Sequence, residues 1–371
     1  MSSTSAPYRY DIVGSFLRTP AIRDAREQFA AGTISAEELE RVEDREIRGL
    51  VDRQKAAGLL AVTDGEYRRA FWHLDFLWGL TGVEKTRAEH FSVAFQGVQP
   101  KAETVKIAGR LDFPEDHPFL SHFRFLNSVA DGAQAKQCIP SPSMLHLICC
   151  VREPDYQPID RYRDEQVLLD DLAAVYQKAI LAFYQAGCRY LQLDDTSWGE
   201  FCSAEKREAY AKRGIDVDEV GRKYVYVLNK ALEVKPADMT VTMHICRGNF
   251  RSTWSSSGGY GPVAEILFAH CNVDGFFLEY DSDRAGGFEP LRFIGRQKVV
   301  LGLVTSKEAR LEHKADVIAR IREAAGYVPL EQLALSPQCG FASTEEGNLL
   351  TEEDQWKKLA LVKEAAEEVW G

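Results

Sequence analysis

Short apolar segments rich in β-branched residues alternate along this chain with longer charged segments whose apolar residues recur at helical spacing. Such alternation is typical of βα units arranged around a parallel sheet. Each apolar segment is four or five residues long, a length that favours a strand over a helix. The pattern predicts strands at Asp11–Ser15, Leu59–Thr63, Ala135–Ile139, Tyr190–Leu193, Thr240–His244, Gly275–Leu278, Val299–Leu303 and Gln332–Leu335.

Eight strands with helices between them predict an α/β protein with a (β/α)₈ (TIM) barrel fold. An open doubly wound sheet is the main rival, but no predicted strand is followed by G-x-G-x-x-G. The helices begin and end at recognisable signals: Ser35 and Glu38 form a capping box for a helix that runs to Ala57, where Gly58 ends it. Further helices are predicted at Val167–Ala186, Glu308–Ala325 and Glu352–Val369.

Residues 80–122 do not fit a simple βα unit. Two stretches within them, FSVAF and TVKIAGRL, alternate apolar and polar residues and predict a hairpin inserted over the mouth of the barrel. No glycine-serine linker, low-complexity tract or internal repeat divides the chain. We therefore expect a single catalytic barrel over residues 1–371.

Composition narrows the possible partners. Of the 371 residues, 27% are charged and the formal net charge is -11, which disfavours nucleic acid and anionic membranes because both would repel the protein. No segment is long and apolar enough to span a membrane, and the N-terminus has no apolar signal region. Eight irregularly spaced cysteines in a long chain argue against a disulfide framework. These features predict a reduced, cytoplasmic setting and indicate no particular oligomeric state.

Polar and reactive residues concentrate where the predicted strands end. In a barrel the catalytic groups come from the C-terminal ends of the strands. Six of the eight predicted strand ends carry such residues. They are Gly14-Ser15, Asp64-Gly65-Glu66, Asp194-Asp195, His244-Ile-Cys246, Glu279 and Cys339-Gly340.

A metal site is predicted from four of these residues. His244 and Cys246 are two positions apart, so their side chains face the same side of a strand. Cys339 follows another strand, and Glu279 ends the apolar run GFFLE. Two thiolates and an imidazole suit Zn²⁺ better than magnesium or calcium. A catalytic zinc keeps three protein ligands and one exchangeable position, and we expect Glu279 to be the weak ligand.

The other strand ends suit a small amino-acid thiol. Glu66, Asp194 and Glu200 can hold an ammonium group, and we expect Glu66 and Asp194 to be the catalytic carboxylates. Ser15 and the backbone N–H groups near Gly14 can hold a carboxylate. No function is predicted for the remaining six cysteines, and most of them are expected to be core residues.

The chain also resembles a known family over nearly its whole length. Six ordered motifs carry a likeness to the cobalamin-independent methionine synthase superfamily, and more closely to its short, single-barrel, methionine-synthase-II-like branch. They are GSF (Gly14–Phe16), TDGEYRR (Thr63–Arg69), LQLDDTSWGE (Leu191–Glu200), HICRGN (His244–Asn249), FLEYD (Phe277–Asp281) and SPQCGF (Ser336–Phe341).

The resemblance implies a fold, a cofactor and a reaction. It implies a zinc-dependent methyltransferase that uses homocysteine and a methyl donor such as a methyl-folate. The zinc ligands that the resemblance implies are His244, Cys246, Glu279 and Cys339. The residues that it implies for homocysteine binding are Gly14, Ser15, Glu66 and Asp194, with Glu200 as a further acidic site residue.

The chain departs from the family pattern in two respects. It has one barrel where the long enzymes have two. Thr305 stands at the position of the histidine that the family uses as a proton donor. Three further hypotheses are compatible with the sequence: another thiol such as coenzyme M, held by Arg18, Arg68 or Arg247; a non-catalytic zinc-binding barrel; and a relative of the porphyrinogen decarboxylases, which share the fold but need no thiolate zinc set.

Overall fold

The computed structural model describes residues 5–87, 95 and 101–371. Within them the chain forms a parallel sheet of seven strands in the order β1-β4-β5-β6-β7-β8-β9, together with an antiparallel pair, β2 and β3. The strands are β1 (Ala61–Val62), β2 (Thr81–Arg87), β3 (Glu103–Asp112), β4 (Gln134–Pro140), β5 (Tyr190–Asp195), β6 (Thr240–Ile245), β7 (Gly275–Glu279), β8 (Lys298–Val304) and β9 (Leu333–Pro337).

Helices connect the parallel strands, as βα units require. The α-helices are α1 (Pro20–Ala30), α2 (Ala36–Ala56), α3 (Leu74–Leu77), α4 (Pro118–Val129), α5 (Ser143–His146), α6 (Glu165–Gln185), α7 (Ser197–Phe201), α8 (Ala204–Lys212), α9 (Val217–Leu232), α10 (Gly261–Phe268), α11 (Lys314–Ala324) and α12 (Glu352–Trp370). A π-helix covers Leu147–Val151, and 3₁₀ turns lie at Asp160–Tyr162, Asp283–Ala285, Glu289–Phe293 and Leu330–Gln332.

The predicted helix signals are largely confirmed. Ser35 caps α2, and its hydroxyl accepts a hydrogen bond from the N–H of Glu38 at 3.2 Å, while the Glu38 carboxylate bonds back to Ser35. The prediction of a helix from Glu308 is wrong at its start, because α11 begins at Lys314. Glu312 lies just before it and instead accepts the N–H of Thr305.

Seven of the eight predicted strands are present, and the first is not a full strand. The segment that contains Asp11–Ser15 joins the sheet through one parallel bridge at the preceding residue, between Tyr10 and Leu335 of β9. On the side of β1, the Thr63 hydroxyl donates to the Gly14 carbonyl at 2.6 Å. A side-chain hydrogen bond therefore takes the place of a backbone hydrogen bond between neighbouring strands. Because this segment contacts both edges of the sheet, the sheet curls as in a TIM-like barrel.

The inserted hairpin is confirmed by the antiparallel pairing of β2 with β3, in which Val83 is opposite Ile107 and Lys85 is opposite Val105. TVKIAGRL falls within β3, whereas all of FSVAF except Phe95 lies outside the described residues. The Phe95 ring lies 5.4 Å from that of Phe250, so the hairpin reaches the C-terminal side of the sheet.

The inside of the curled sheet holds a buried ion pair. Lys136 of β4 lies 3.3 Å from Asp11, and both side chains are fully buried. The ammonium group also stands over the rings of Tyr190 and Phe277, at 4.7 and 4.1 Å from their centroids. A buried charge needs such partners.

Among the described residues, no helix is both long and apolar enough to cross a bilayer.

Candidate metal centre and substrate pocket

Four predicted metal ligands come together at the C-terminal ends of the parallel strands. His244 lies in β6 and Cys246 directly after it, Glu279 is the last residue of β7, and Cys339 lies just beyond β9. One ligand atom from each lies within 4.8 Å of the others, and all four residues are buried. The structure therefore places the four side chains in one small volume.

Neighbouring groups orient two of these ligands. The Nδ1 atom of His244 lies 3.3 Å from the Phe277 carbonyl, whereas its Nε2 atom is buried and has no hydrogen-bond partner among the described residues. Glu279 accepts the N–H of Arg247 at 2.9 Å and pairs with Arg284 at 3.1 Å. An oriented imidazole with one unpartnered nitrogen, beside two thiols and a carboxylate, fits the donor set of zinc.

The electrostatics of the cluster favour a thiolate. The hydrogen bond from the Cys246 thiol holds the pKa of Cys339 well below its usual range, although burial acts in the opposite direction. Burial lowers the pKa of His244, but the nearby Cys339 sulfur outweighs it and raises that pKa to about 9. Burial raises the pKa of Glu279, but the charge of Arg284 outweighs it, so that pKa is lowered. Cys339 and Glu279 are therefore the anionic members of the cluster, and a bound cation would match their charge.

A hydrogen-bond network joins the loops that carry the two cysteines. Lys307, which is buried, donates to the Asn249 side-chain oxygen at 2.6 Å and to the Gly248 carbonyl at 3.1 Å. Asn249 in turn donates to the Gly340 carbonyl at 2.8 Å. Gly340 directly follows Cys339, and Gly248 lies two residues beyond Cys246. The network thus fixes the two loops relative to each other. The sequence pattern singled out neither Lys307 nor Asn249.

The predicted carboxylates form a second cluster. Glu66, Asp194 and Cys138 place ligand atoms within 4.8 Å of one another, and all three are buried. Glu66 has a left-handed backbone (φ 61°), pairs with Arg69 at 3.3 Å, and leaves its Oε2 atom unpartnered among the described residues. Asp194 accepts a hydrogen bond from Gln192 at 2.7 Å. Cys138, for which the sequence predicted no function, is buried and also lies in this cluster.

Burial controls the protonation of the two carboxylates. Burial raises the pKa of Glu66 to about 7. The charge of Arg69 acts to lower that pKa, and the charge of Asp194 acts to raise it further. Burial also raises the pKa of Asp194 to about 6, which the charge of His244 opposes. Two carboxylates held close together in a buried site resist simultaneous ionisation unless a cation joins them. This arrangement suits an ammonium group.

Gly14 and Ser15 lie beside this cluster. A Cβ atom at Gly14 would meet the Cys138 sulfur at 2.7 Å, so glycine allows the backbone to approach the cluster closely. The Ser15 hydroxyl accepts the N–H of Ala342 at 3.2 Å and packs against Gly340. Ser15 lines the pocket, whereas Gly14 lies behind it.

One pocket connects the two clusters. Glu66, Asp194, His244, Cys246 and Cys339 all line it. Part of its remaining wall is apolar and aromatic, as is usual for small-molecule sites. That wall includes Phe71, Trp72, Leu74, Phe95, Met144, Ile148 and Phe250.

Two residues singled out from the sequence lie outside this lining. Glu200 is buried behind the wall, where it accepts hydrogen bonds from Arg152 at 2.9 Å and from Tyr210 at 2.7 Å. Burial raises the pKa of Glu200, but the charges of Arg152 and Lys206 outweigh it and lower the pKa to about 2. Thr305 also lies outside the lining, and its N–H donates to Glu312.

Arg152, rather than Glu200, reaches the pocket. The sequence pattern did not point to it. In the structure Arg152 directly follows the π-helix Leu147–Val151, a feature that often marks a functional site and that the sequence does not reveal.

Comparisons with known proteins identify the family. Residues 10–367 match the family described as the cobalamin-independent synthase, catalytic domain. The chain is 50% identical over 369 residues to the uncharacterized protein YxjH of Bacillus subtilis (strain 168), an alignment that covers 98% of this chain and 95% of that protein. It is 23% identical to a methionine synthase of Saccharolobus solfataricus, covering 96% and 93% of the two chains.

Solved structures give the same picture. A structural-genomics protein from Listeria monocytogenes, provisionally described as a vitamin-B12-independent methionine synthase, superimposes with a TM-score of 0.79 at 45% identity over the full length of both chains. A B12-independent methionine synthase from Shewanella sp. W3-18-1, solved with selenomethionine, gives a TM-score of 0.68 at 21% identity, covering 91% and 90% of the two chains. At that identity the second match supports the fold alone.

Proposed function

The chain belongs to the family of the cobalamin-independent synthase catalytic domain, and on this premise we propose that it is a zinc-dependent methyltransferase acting on homocysteine. The product would be methionine. The observation that carries the proposal is the meeting of two clusters in one pocket: a His/Cys/Cys/Glu set beside a pair of buried carboxylates. The first set suits a metal that activates a thiol, and the second suits the ammonium group of the same substrate.

His244, Cys246, Glu279 and Cys339 would hold the zinc ion. Zinc at this position would favour the thiolate form of a substrate thiol, which otherwise has a pKa of about 8.5 and is mostly protonated at neutral pH. Arg284 and the Arg247 N–H hold the Glu279 carboxylate in place.

The rest of the pocket would orient the substrates. Glu66 and Asp194 bind the ammonium group, and Ser15 with nearby backbone N–H groups binds the carboxylate. The apolar wall excludes water and holds the methyl donor, which can be a methyl-folate or another small methylated molecule. Methyl transfer is a displacement, so the sulfur, the methyl carbon and the leaving atom must lie in line. We also infer that the segment bridged at Tyr10 takes the place of the eighth strand of a (β/α)₈ barrel.

The three arginines considered for a sulfonate thiol are held by other groups. Arg18 donates to the carbonyls of Phe16 and Ala342. Arg68 pairs with Glu43 at 3.1 Å, and Arg247 donates to the Gly258 carbonyl. None of these three arginines lines the pocket as the described residues define it.

X-ray absorption at the zinc edge of the zinc-loaded protein tests the proposal, with and without L-homocysteine. We expect one additional sulfur neighbour and one fewer light-atom neighbour when homocysteine is added. L-homoserine, which has a hydroxyl in place of the thiol, is the matched control and should leave the sulfur count unchanged. A spectrum that homocysteine does not alter would reject homocysteine as the acceptor, and a protein that retains no zinc would reject the metal site.

A further inference from the structure

We propose that Arg152, positioned by Glu200, forms an anion-binding subsite that takes an acidic group of the methyl donor. The proposal rests on the proposed function only in naming the methyl donor as the occupant. It assigns the donor to a chemical class: an organic anion with an apolar or aromatic body. The carboxylate of the amino-acid thiol is the competing occupant, and the zinc-edge response of the Arg152 variant separates the two.

Glu200 holds the Arg152 guanidinium in place, but one N–H group of that guanidinium has no hydrogen-bond partner among the described residues. Its side chain is only 10% exposed and lines the pocket. One terminal nitrogen donates to Glu200 at 2.9 Å and to the Thr196 hydroxyl at 3.5 Å. Its Nε–H is buried and has no partner in the described part of the chain. A buried donor without a partner is costly, and a ligand acceptor removes that cost.

Positive and negative charges around Arg152 are also unequal in number. Glu200 is the carboxylate partner of both Arg152 and Lys206, which lies 3.0 Å from it. Two cations thus share one carboxylate. The Lys206 side chain is 22% exposed, so water solvates part of its charge, whereas the Arg152 side chain is only 10% exposed and depends more on its partners. Arg152 lines the pocket but Glu200 and Lys206 do not, so a matching anion would enter from the pocket side.

This subsite is separate from the carboxylate pair that suits the ammonium group. Glu66 has its own arginine, Arg69, at 3.3 Å. Arg69 also donates to the Cys138 carbonyl, at 2.7 Å. The pocket therefore offers two acidic side chains at one position and, at another, a guanidinium whose Nε–H has no partner among the described residues. Two substrates of complementary charge fit such a pocket better than one.

The walls around Arg152 select an organic anion over an inorganic one. Trp72, Met144 and Ile148 line the same pocket and offer apolar contact. His73 lies beside Trp72, with the ring centroids 4.4 Å apart, and its buried Nδ1 atom has no partner in the described residues. Burial lowers the pKa of His73 to about 3, so the ring is neutral and adds a polar contact without a charge. Planar guanidinium groups bind carboxylates well because two N–H groups can bond in parallel.

Calorimetric titration of the zinc-loaded protein with sodium benzoate tests the subsite, with benzamide as the uncharged probe of the same shape. We expect Arg152→Met to weaken benzoate binding at least about tenfold, the scale of a charge-assisted hydrogen bond, and to leave benzamide binding unchanged. Arg152→Lys should retain part of the affinity, and Glu200→Gln should weaken it less than Arg152→Met. Arg207→Met is the matched control, because Arg207 lies on the same helix as Lys206 and pairs with Asp218 outside the pocket.

Each result has a defined meaning. Equal benzoate affinity in Arg152→Met and the wild type, or no benzoate binding by the wild type, would overturn the proposal. A variant that loses the zinc-edge response to homocysteine would instead assign Arg152 to the carboxylate of the thiol substrate and would also overturn it. If the wild type itself gave no homocysteine response, the proposed function would fail while the benzoate difference could still be read.

Discussion

The sulfur atoms of Cys246 and Cys339 lie 3.7 Å apart, although 93 residues separate the two cysteines in the chain. That distance is far longer than a disulfide bond, which measures about 2.05 Å. Two sulfurs that each lie about 2.3 Å from one tetrahedral ion would be about 3.8 Å apart. The spacing therefore matches a shared metal ion, and it is set by strands β6 and β9, between which β7 supplies Glu279.

Replacing Cys339 should remove zinc and leave the fold. Cys339→Ser exchanges a soft sulfur ligand for a hydroxyl. Loss of a residue that only hydrogen-bonds to a metal ligand lowers metal affinity about 10–100-fold, and we expect the loss of this ligand to lower zinc affinity more. Metal analysis after dialysis measures this, and circular dichroism reports the fold. Cys188→Ser is the matched control, since Cys188 is buried outside the cluster and a serine can keep its bond to the Tyr190 carbonyl. Full zinc content in Cys339→Ser would remove Cys339 from the site.

The affinity for L-methionine should fall as pH decreases through about 7. Methionine has the ammonium group but no thiol, so its binding does not depend on forming a metal-bound thiolate. The pKa of Glu66 is about 7, and below it the carboxyl is protonated and loses the charge that attracts an ammonium. Calorimetry between pH 7.5 and 5.5 should show a loss of about tenfold. Glu66→Gln should bind more weakly with a flatter pH profile; an equally steep profile in that variant would assign the titration to another group.

Removing the Lys307 ammonium should weaken zinc binding without abolishing it. Lys307→Met breaks the bonds to Asn249 and Gly248 that fix the cysteine loops, so we expect zinc affinity to fall about tenfold. Competition with a chelator measures this. Lys358→Met is the control, because Lys358 is also fully buried but pairs with Glu312 outside the pocket. Equal zinc affinity in Lys307→Met and wild type would show that the network does not support the metal site.

A methyl group at Gly14 should disturb the substrate site more than the metal site. The Cβ atom of Gly14→Ala would meet the Cys138 sulfur at 2.7 Å, so Cys138 and Glu66 must move. We expect weaker methionine binding at nearly unchanged zinc content, both measured on the same preparation. Gly49→Ala is the matched control: Gly49 lies within α2, its Cβ would meet nothing within 4 Å, and the change should stabilise the fold by about 0.5–1 kcal/mol. Methionine affinity that is unaffected by Gly14→Ala would contradict the proposed placement.

The sequence by itself determined the residues that face the mouth of the sheet. Strand periodicity places His244 and Cys246 on one side of β6, and the apolar run before Glu279 places that carboxylate at the end of β7. The capping box at Ser35 determined where α2 begins. These features depend on residues close together in the chain, and local periodicity and backbone hydrogen bonding are enough to specify them.

Only the tertiary structure decided which distant groups meet. It set Cys138 beside Glu66 and Asp194, and it reduced the first predicted strand to one bridge at Tyr10. It also turned Glu200 away from the pocket and toward Arg152. Such contacts depend on how the sheet curls and on how buried charges find partners. A buried carboxylate must be matched by a nearby cation, and that cation is chosen by packing across the fold rather than by the neighbouring sequence.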